Sequence, residues 1–493
     1  MTGLSRVISA AAVALAAAAV WAPPLLVTTD GSSHVYNAMA ADAVRAGNPP
    51  YASALLVNPP GVRPNRAAGL LLEWLGRAVG WELGERLVVT LIVAATFGLV
   101  VTLVDQRGSL PAVAAAWLSH NWFMWMGFYD FALSLPCFAA LVLLLRRPPT
   151  AQRHLWLQAV LGLSYLTHLL TFAVGMGLAA TVMAMEAAGR RASWRQLAAL
   201  VPAAVMLSVA LGTGVTGGQA LTWENPGKAL LGLLFGDVVR TFHPLDAIGG
   251  TPLITASIAT GLYHLLGTRR RGLDPLDPAA AVGLALLLLS PLAPAALGVG
   301  SYLPLRLQML GIIALLPAVG RATARLRFRD SQIAAAVLLL GFAVHTARAI
   351  RAAEAVARNL DVIDHLFVAA GAGPGAWVRT RIVNQRAGLF RISGYRHLVD
   401  RLAARRGFVV LDNYEALYGV FSIAWRRRPD WLALRPAPSG GLILQLVPGE
   451  LRWASDLYLL HERTWPVAVV DTRLALGATA TSASFAVAQL RRP

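Results

Sequence analysis

Long apolar runs recur every twenty to thirty residues as far as position 348. Each is about long enough to cross the roughly 30 Å hydrocarbon layer of a bilayer as a helix. The runs fall at 7–28, 84–104, 110–127, 130–146, 155–172, 173–188, 196–216, 249–266, 278–297, 304–320 and 331–348, which predicts about eleven spans. The segment "AAGLLLEWLGRAVG", Ala67 to Gly80, is short and carries Glu73 and Arg77, so it reads as a helix lying at the interface. Beyond Arg348 the apolar runs shorten while charge, Gly and Pro rise. There "RHLVDRLAARRG" spaces its apolar residues as a helix ending on Gly407, and "FVVLD", "GLILQLV", "VAVVD" and "FAVAQL" read as strands. The expected organisation is a polytopic α-helical membrane domain over 1–348, with a large first loop over 29–83, followed by a soluble α/β domain over 349–493.

Composition agrees with that pattern. The 493 residues are 56% hydrophobic and 14% charged, against about 25% charged in soluble domains. The net charge of +18 suggests nucleic acid only until its placement is considered. Lys228 is the only lysine, a bias that a GC-rich bacterial genome produces. Arg6, Arg107, Arg146, Arg147, Arg153, Arg190, Arg191, Arg195, Arg269 to Arg271, Arg321, Arg325, Arg327 and Arg329 occupy short loops. With the N-terminus inside, all of these fall on one side, while the opposite turns near Gly127, Phe172 and Gly298 carry almost no basic residues. The expectation is a multi-pass protein of the bacterial cytoplasmic (inner) membrane, with the 29–83 loop, the 217–248 loop and the tail extracytoplasmic. The first run could instead be a signal peptide, but its apolar part is long and "WAPPLLVTTD" lacks a small-x-small cleavage site. It reads as an uncleaved span.

Cys137 is the only cysteine, so neither a disulfide framework nor a cysteine metal site is available. There is no Walker loop, dinucleotide fingerprint, HExxH or serine nucleophile elbow. The candidate chemistry is a small set of polar residues assigned to the outer face. Asp30 and His34 open "VTTDGSSHVYNAMAADAVRAGNPPY", in which Asp30 either caps an amphipathic surface helix or lines an active site. Gly47 and the prolines after it would end that helix. Tyr129 and Asp130 lie in the turn "WMGFYDF", where a carboxylate at headgroup depth is functional or paired with an arginine. His168 either bonds a neighbouring helix or binds a ligand. Arg306 enters its span from outside and has a fork suited to phosphate, with snorkelling as the alternative. Glu224, Asp237, Arg240, His243 and Asp246 populate the 217–248 loop, and "DNYEALYG" places Asp412 and Glu415 on a turn of the tail, structural by default or a lid over substrate. His120, His264 and His345 read as packing residues.

The layout resembles the C-type glycosyltransferase superfamily of integral membrane enzymes. The "TTDGSSHVYNAMAADAVRAGNPPY" stretch looks like that family's first extracytoplasmic loop, and "WMGFYDF" like its second acidic site. More narrowly, "HNWFMWMGFYDFALSLP", "SYLTHLLTF", "LPLRLQML" and "LDNYEALYGVFSIAW" resemble uncharacterised bacterial membrane proteins of this type. The resemblance implies transfer of a sugar from a polyprenyl-phosphate donor to a glycan, lipid or protein acceptor. It implies Asp30 as general base, with Asp130 and His34 beside it in the catalytic set. His168, Arg240, Arg306, Tyr129 and Glu415 would then contact substrate. A divalent cation, Mg or Mn, would sit on Asp30 and Asp130, although Asp30 is followed by Gly-Ser-Ser and not by a second acidic residue. The alternatives are a transporter or flippase of lipid-linked intermediates, and a noncatalytic scaffold for envelope assembly.

Overall fold

The computed structural model describes residues 3–58, 63–104, 108–189, 194–212, 221–271, 277–297, 300–382, 390–413, 415–417, 421–426, 432–436, 442–446, 457–462, 467–469 and 475–491. For 264–271, 297, 300, 381, 432–436, 442–446, 457–458, 461–462, 467–469, 475–478 and 490–491 it describes the backbone alone. Arg107, Arg190 and Arg191 lie outside the described residues, as do the side chains of His264 and Arg269 to Arg271.

Among the described residues, six helices are long and apolar enough to cross a membrane: Gly3–Trp21, Trp81–Val104, Leu169–Ala188, Trp194–Gly212, Leu303–Thr323 and Phe328–Ala369. Tyr129–Leu145 and Pro278–Leu292 are shorter apolar helices. The expected 110–127 span is two helices, Ser109–Ser119 and Trp122–Met126. Asn121 sits between them, and its side chain accepts the Met124 N–H, which starts a new helix where the old one stops. The boundary expected between 172 and 173 lies at His168, whose extended backbone (φ −160°, ψ 120°) separates Ala151–Thr167 from Leu169–Ala188.

The chain forms two compact units. The first comprises Met1–Ala22, Val62–Ala68 and Leu87–Ile350, and the second Pro23–Gly61, Gly69–Arg86 and Arg351–Pro493. Most of the first loop therefore folds with the tail. Pairing far apart in the sequence is the cause: Leu55–Val57 is antiparallel to Ile423–Trp425, with Leu55 opposite Trp425. The helix expected to stop at 348 continues to Ala369, because neither Gly nor Pro interrupts the sequence from Phe342 through Ala370. Val356, Leu360, Ile363 and Phe367 follow at helical spacing and enter the core of the second unit.

That core also holds a mixed five-stranded sheet in the order Ala475–Thr481, Phe485–Arg491, Leu457–Glu462, Trp377–Arg381, Val409–Val410. Trp377–Arg381 runs parallel to both of its neighbours. The helix Leu398–Arg406 ends on Gly407, whose φ of +77° is the left-handed conformation that favours glycine. Val467–Val469, Leu442–Leu446 and Leu432–Pro436 form a separate three-stranded sheet.

The expected surface helix after the first apolar run is instead buried over most of its length. Gly31–Arg45 buries Gly31 to Ser33 and Val35 to Ala41. Small side chains at Ala40 and Ala41 belong to the core of the second unit, and Ala38 is buried as well. The Tyr36 hydroxyl accepts the Val410 N–H at 3.0 Å, tying the helix to the sheet. Gly47 (φ +72°) follows this helix, as expected for its end, but the prolines do more than end it. Pro49 and Pro50 open a new helix, Pro49–Ala54, at positions that have no intrahelical N–H bond to lose.

Candidate active site

Asp30 occupies the cap position of Gly31–Arg45, yet its side chain makes no capping hydrogen bond. Its backbone is already helical (φ −106°, ψ −6°), whereas a capping side chain normally folds back from an extended residue. The carboxylate is buried, and Oδ1 accepts no hydrogen bond. This oxygen lies 3.5 Å from His397 Nε2, and His397 Nδ1 donates to Asp400 Oδ2 at 2.7 Å. Residues 30, 34 and 37 follow one another at i, i+4 and i+7, so one helix face presents all three. His34 Nδ1 stands 3.6 Å from Glu415 Oε2, and Asn37 Nδ2 donates to the same oxygen. Asn413 Nδ2 in turn donates to Asn37 Oδ1 at 2.6 Å. Glu415, expected as a residue of the tail, is thus joined to the first loop within the second unit.

Burial pushes the Glu415 carboxyl well above the usual glutamate range, and the charges of Asp30 and Asp400 push the same way. For His397, burial works against the charged ring, but Asp400, Asp30 and Glu415 together outweigh it and raise its proton affinity. Both groups bind a proton more tightly in the folded protein. The stability they contribute is therefore fully present below their unfolded pKa values, about 4.3 and 6.5, and is lost as pH rises through their folded ones. The apparent melting temperature should fall as the buffer is taken from mildly acidic to alkaline. Glu415→Gln should flatten the glutamate's part of that slope, and an identical slope in the variant would remove Glu415 as its source.

His397, Asp400, Asn37 and Asn413 were not anticipated as site residues. One signal was available: His397, Asp400 and Arg401 are polar at i, i+3 and i+4 beside the apolar stripe of Leu398, Val399 and Leu402. Only the stripe was used to recognise the helix.

In the first unit, Asp130 accepts the Ala68 N–H at 2.8 Å, in the first turn of Ala67–Val79. Its carboxylate thus meets a helix start, a structural task among its interactions. Tyr129 is fully buried in the first turn of Tyr129–Leu145. Arg306 is buried, so it does not snorkel, and it donates to His168 Nε2. Its guanidinium lies over the rings of Phe131, Phe128 and Phe123, at 5.0, 5.3 and 6.0 Å from their centroids. No carboxylate among the described residues forms an ion pair with it. Arg306 Nε and His168 Nδ1 have no hydrogen-bond partner. A desolvated guanidinium with a ring face on one side and an open donor suits an anion. His168 reaches Arg306 because its extended backbone ends one helix and begins the next, where the Leu169 N–H is received by Asn65 Oδ1 at 3.1 Å.

The remaining candidates, those of the 221–248 segment, engage one another locally. Arg240 pairs with Asp237 and lies over Phe235. Glu224 pairs with Lys228 at 2.8 Å. Asp246 Oδ2 accepts the N–H groups of Thr241, Phe242 and His243. His120 packs among rings and bonds the Ala16 carbonyl at 3.0 Å. His345, read as a packing residue, also lies 3.5 Å from Asp246, a residue too distant in sequence to suggest the pair.

Among the described residues no group of three or more His, Cys, Asp or Glu side chains is arranged to hold a metal. Asp30 faces an imidazole and Asp130 receives a backbone N–H, and neither stands with two further such side chains around a metal among the described residues. No step below is routed through one.

No protein-family model and no curated protein matches the sequence. Two solved structures are similar to it over its length. One is ArnT from Cupriavidus metallidurans bound to undecaprenyl phosphate, at 14% identity and a TM-score of 0.49, covering 98% of this chain and 97% of that one. The other is the same protein in the apo state, at 15% identity and a TM-score of 0.38, with the same coverage. At these values the likeness attaches no activity to this chain.

Proposed function

We propose that this multi-pass membrane protein is an extracytoplasmic glycosyltransferase that moves a sugar from a polyprenyl-phosphate donor to a hydroxyl acceptor of the envelope. The observation that carries the reading is Asp30: a buried carboxylate with an open oxygen, at a helix start where it declines to cap. A carboxylate with one oxygen that accepts no hydrogen bond, held against an imidazole, suits a general base. The motif resemblance of its segment supplies the substrate class.

The acceptor hydroxyl attacks the anomeric carbon and passes its proton to Asp30 Oδ1. The new glycosidic bond forms as the bond from C1 to the phosphate oxygen breaks, and polyprenyl phosphate leaves with the bonding pair. Within the first unit, and taken by itself, Arg306 is a candidate for binding a phosphate group through its donor fork and its low-polarity surroundings. His168 fixes one end of the guanidinium and the three phenylalanines fix its plane. Nucleotide is not needed, because the sugar-phosphate bond carries the energy.

Arg306→Lys keeps the charge and loses the planar fork. It should weaken polyprenyl-phosphate binding about tenfold, equivalent to roughly 1.4 kcal/mol, in an equilibrium assay with labelled lipid. Unchanged affinity would remove Arg306 from the donor site.

The function itself is tested by incubating purified protein in nanodiscs with a panel of polyprenyl-phosphate sugars and an extract of the native envelope. Mass spectrometry should find free polyprenyl phosphate together with a sugar-bearing acceptor. A full panel that stays intact would count against transfer.

A further inference from the structure

Asp30 is held by a residue for which the activity above has no stated role. We infer that His397 is a positioning residue for Asp30, with Asp400 fixing its ring so that Nε2 faces Asp30 Oδ1. The inference rests on Asp30 being the base of the proposed transfer, but the contact itself is independent of that reading.

Three features carry it. His397 Nδ1 is committed, since it donates to Asp400 Oδ2 at 2.7 Å, and this fixes both the rotation of the ring and the position of its proton. Asp400 is three residues along the chain, on the helix Leu398–Arg406, so the pair is built by local geometry and does not depend on loop placement. Nε2, the other end of the ring, lies 3.5 Å from an Asp30 oxygen that accepts no hydrogen bond. The order carboxylate, imidazole, carboxylate is the arrangement by which a histidine is oriented by one acid towards another group.

The groups around the ring come from three elements. Asp30 stands at the start of Gly31–Arg45, Asp400 on the histidine's own helix, and Glu415 on the turn Glu415–Leu417. Three carboxyl groups around one imidazole favour its charged form, which gives Nε2 a proton to direct at Asp30. That proton holds the aspartate rotamer without consuming the oxygen, because 3.5 Å is longer than a made hydrogen bond. As the acceptor proton arrives on Asp30, the aspartate keeps its place.

A merely structural histidine would respond differently to substitution. His397→Leu should lower kcat on the order of a hundredfold, the cost of a misplaced catalytic group, while KM stays within about twofold. His397→Gln, which retains an N–H donor, should recover most of that loss. Equal losses in the two variants, or wild-type kcat in His397→Leu protein that melts normally, would overturn the assignment.

A second measurement needs no substrate. In protein carrying 15N-labelled histidine, the His397 signals are those absent from the His397→Gln spectrum. The Nε2 signal should move on Asp30→Asn, and the Nδ1 signal on Asp400→Asn. Insensitivity of Nε2 to Asp30→Asn would break the contact whatever the protein does. If wild-type protein transfers no sugar yet Nε2 responds, the functional reading fails and the positioning contact stands. Added Mn2+ that broadens Nε2 beyond detection would put a metal beside Asp30 and overturn His397 as its partner.

Discussion

Asp30→Asn protein should assemble in the membrane, bind donor with near wild-type affinity and transfer sugar about 10²- to 10⁴-fold more slowly, the usual range for loss of a general base. The substitution is nearly isosteric and Oδ1 accepts no hydrogen bond in the fold, so none is lost at that oxygen. Asn retains a carbonyl oxygen towards His397 but cannot take up the acceptor proton. The loss should therefore appear in kcat, with KM for donor little changed. Steady-state kinetics at several donor concentrations check this. A variant running at the wild-type rate would return Asp30 to the structural residues.

The second large effect concerns stability. Arg401→Ala should destabilise the second unit by about 3–5 kcal/mol, the range for removing one partner of a buried ion pair. Arg401 donates to Glu85, and both are almost fully buried. The same guanidinium reaches Ser32 Oγ at 3.2 Å and the Leu26 carbonyl at 3.3 Å. Alanine therefore takes the Arg401 guanidinium away from a buried carboxylate and a donor away from two further groups. The double variant Arg401→Met with Glu85→Gln should recover a large share, since replacing both charges removes the desolvation problem as well as the attraction. Thermal unfolding of the purified proteins decides it. A single variant within about 0.5 kcal/mol of wild type, the range of inert surface changes, would show that the pair carries little.

How far the sequence reached is clearest at individual residues. Asp30 was visible because a carboxylate directly after an apolar run has few tasks open to it. Its failure to cap was not visible, because that depends on the backbone angle at one residue. Arg306 stood out as a cation that topology did not need, but the aromatic rings that desolvate it come from the Trp122–Met126 and Tyr129–Leu145 region, where one span was expected to end at 127 and the next to begin at 130. Asp130 was visible as a charge at a turn, whereas its hydrogen bond to Ala68 is a tertiary accident of two helix starts meeting.

The burial of Gly31–Arg45 could not be read from its pattern, because alanines are compatible with both a surface and a packed helix. The union of the first loop with the tail rests on the pairing of Leu55–Val57 with Ile423–Trp425, and strand partners that distant leave no local trace. His397 and Asp400 were hidden for the same reason, since their proximity to Asp30 exists only after that union. The continuation of the last long helix to Ala369 was legible in principle. Its apolar spacing runs past Arg348 without a break, although the rise in charge there resembles the end of a span.

The most direct test of the account follows a sugar-labelled polyprenyl-phosphate donor placed in the outer leaflet of sealed proteoliposomes that carry the wild-type protein and an acceptor. The account predicts that label leaves the lipid for the acceptor, one polyprenyl phosphate freed for each sugar moved. Label that reaches the inner leaflet still attached to its lipid, with no free polyprenyl phosphate, would contradict it and make the protein a transporter.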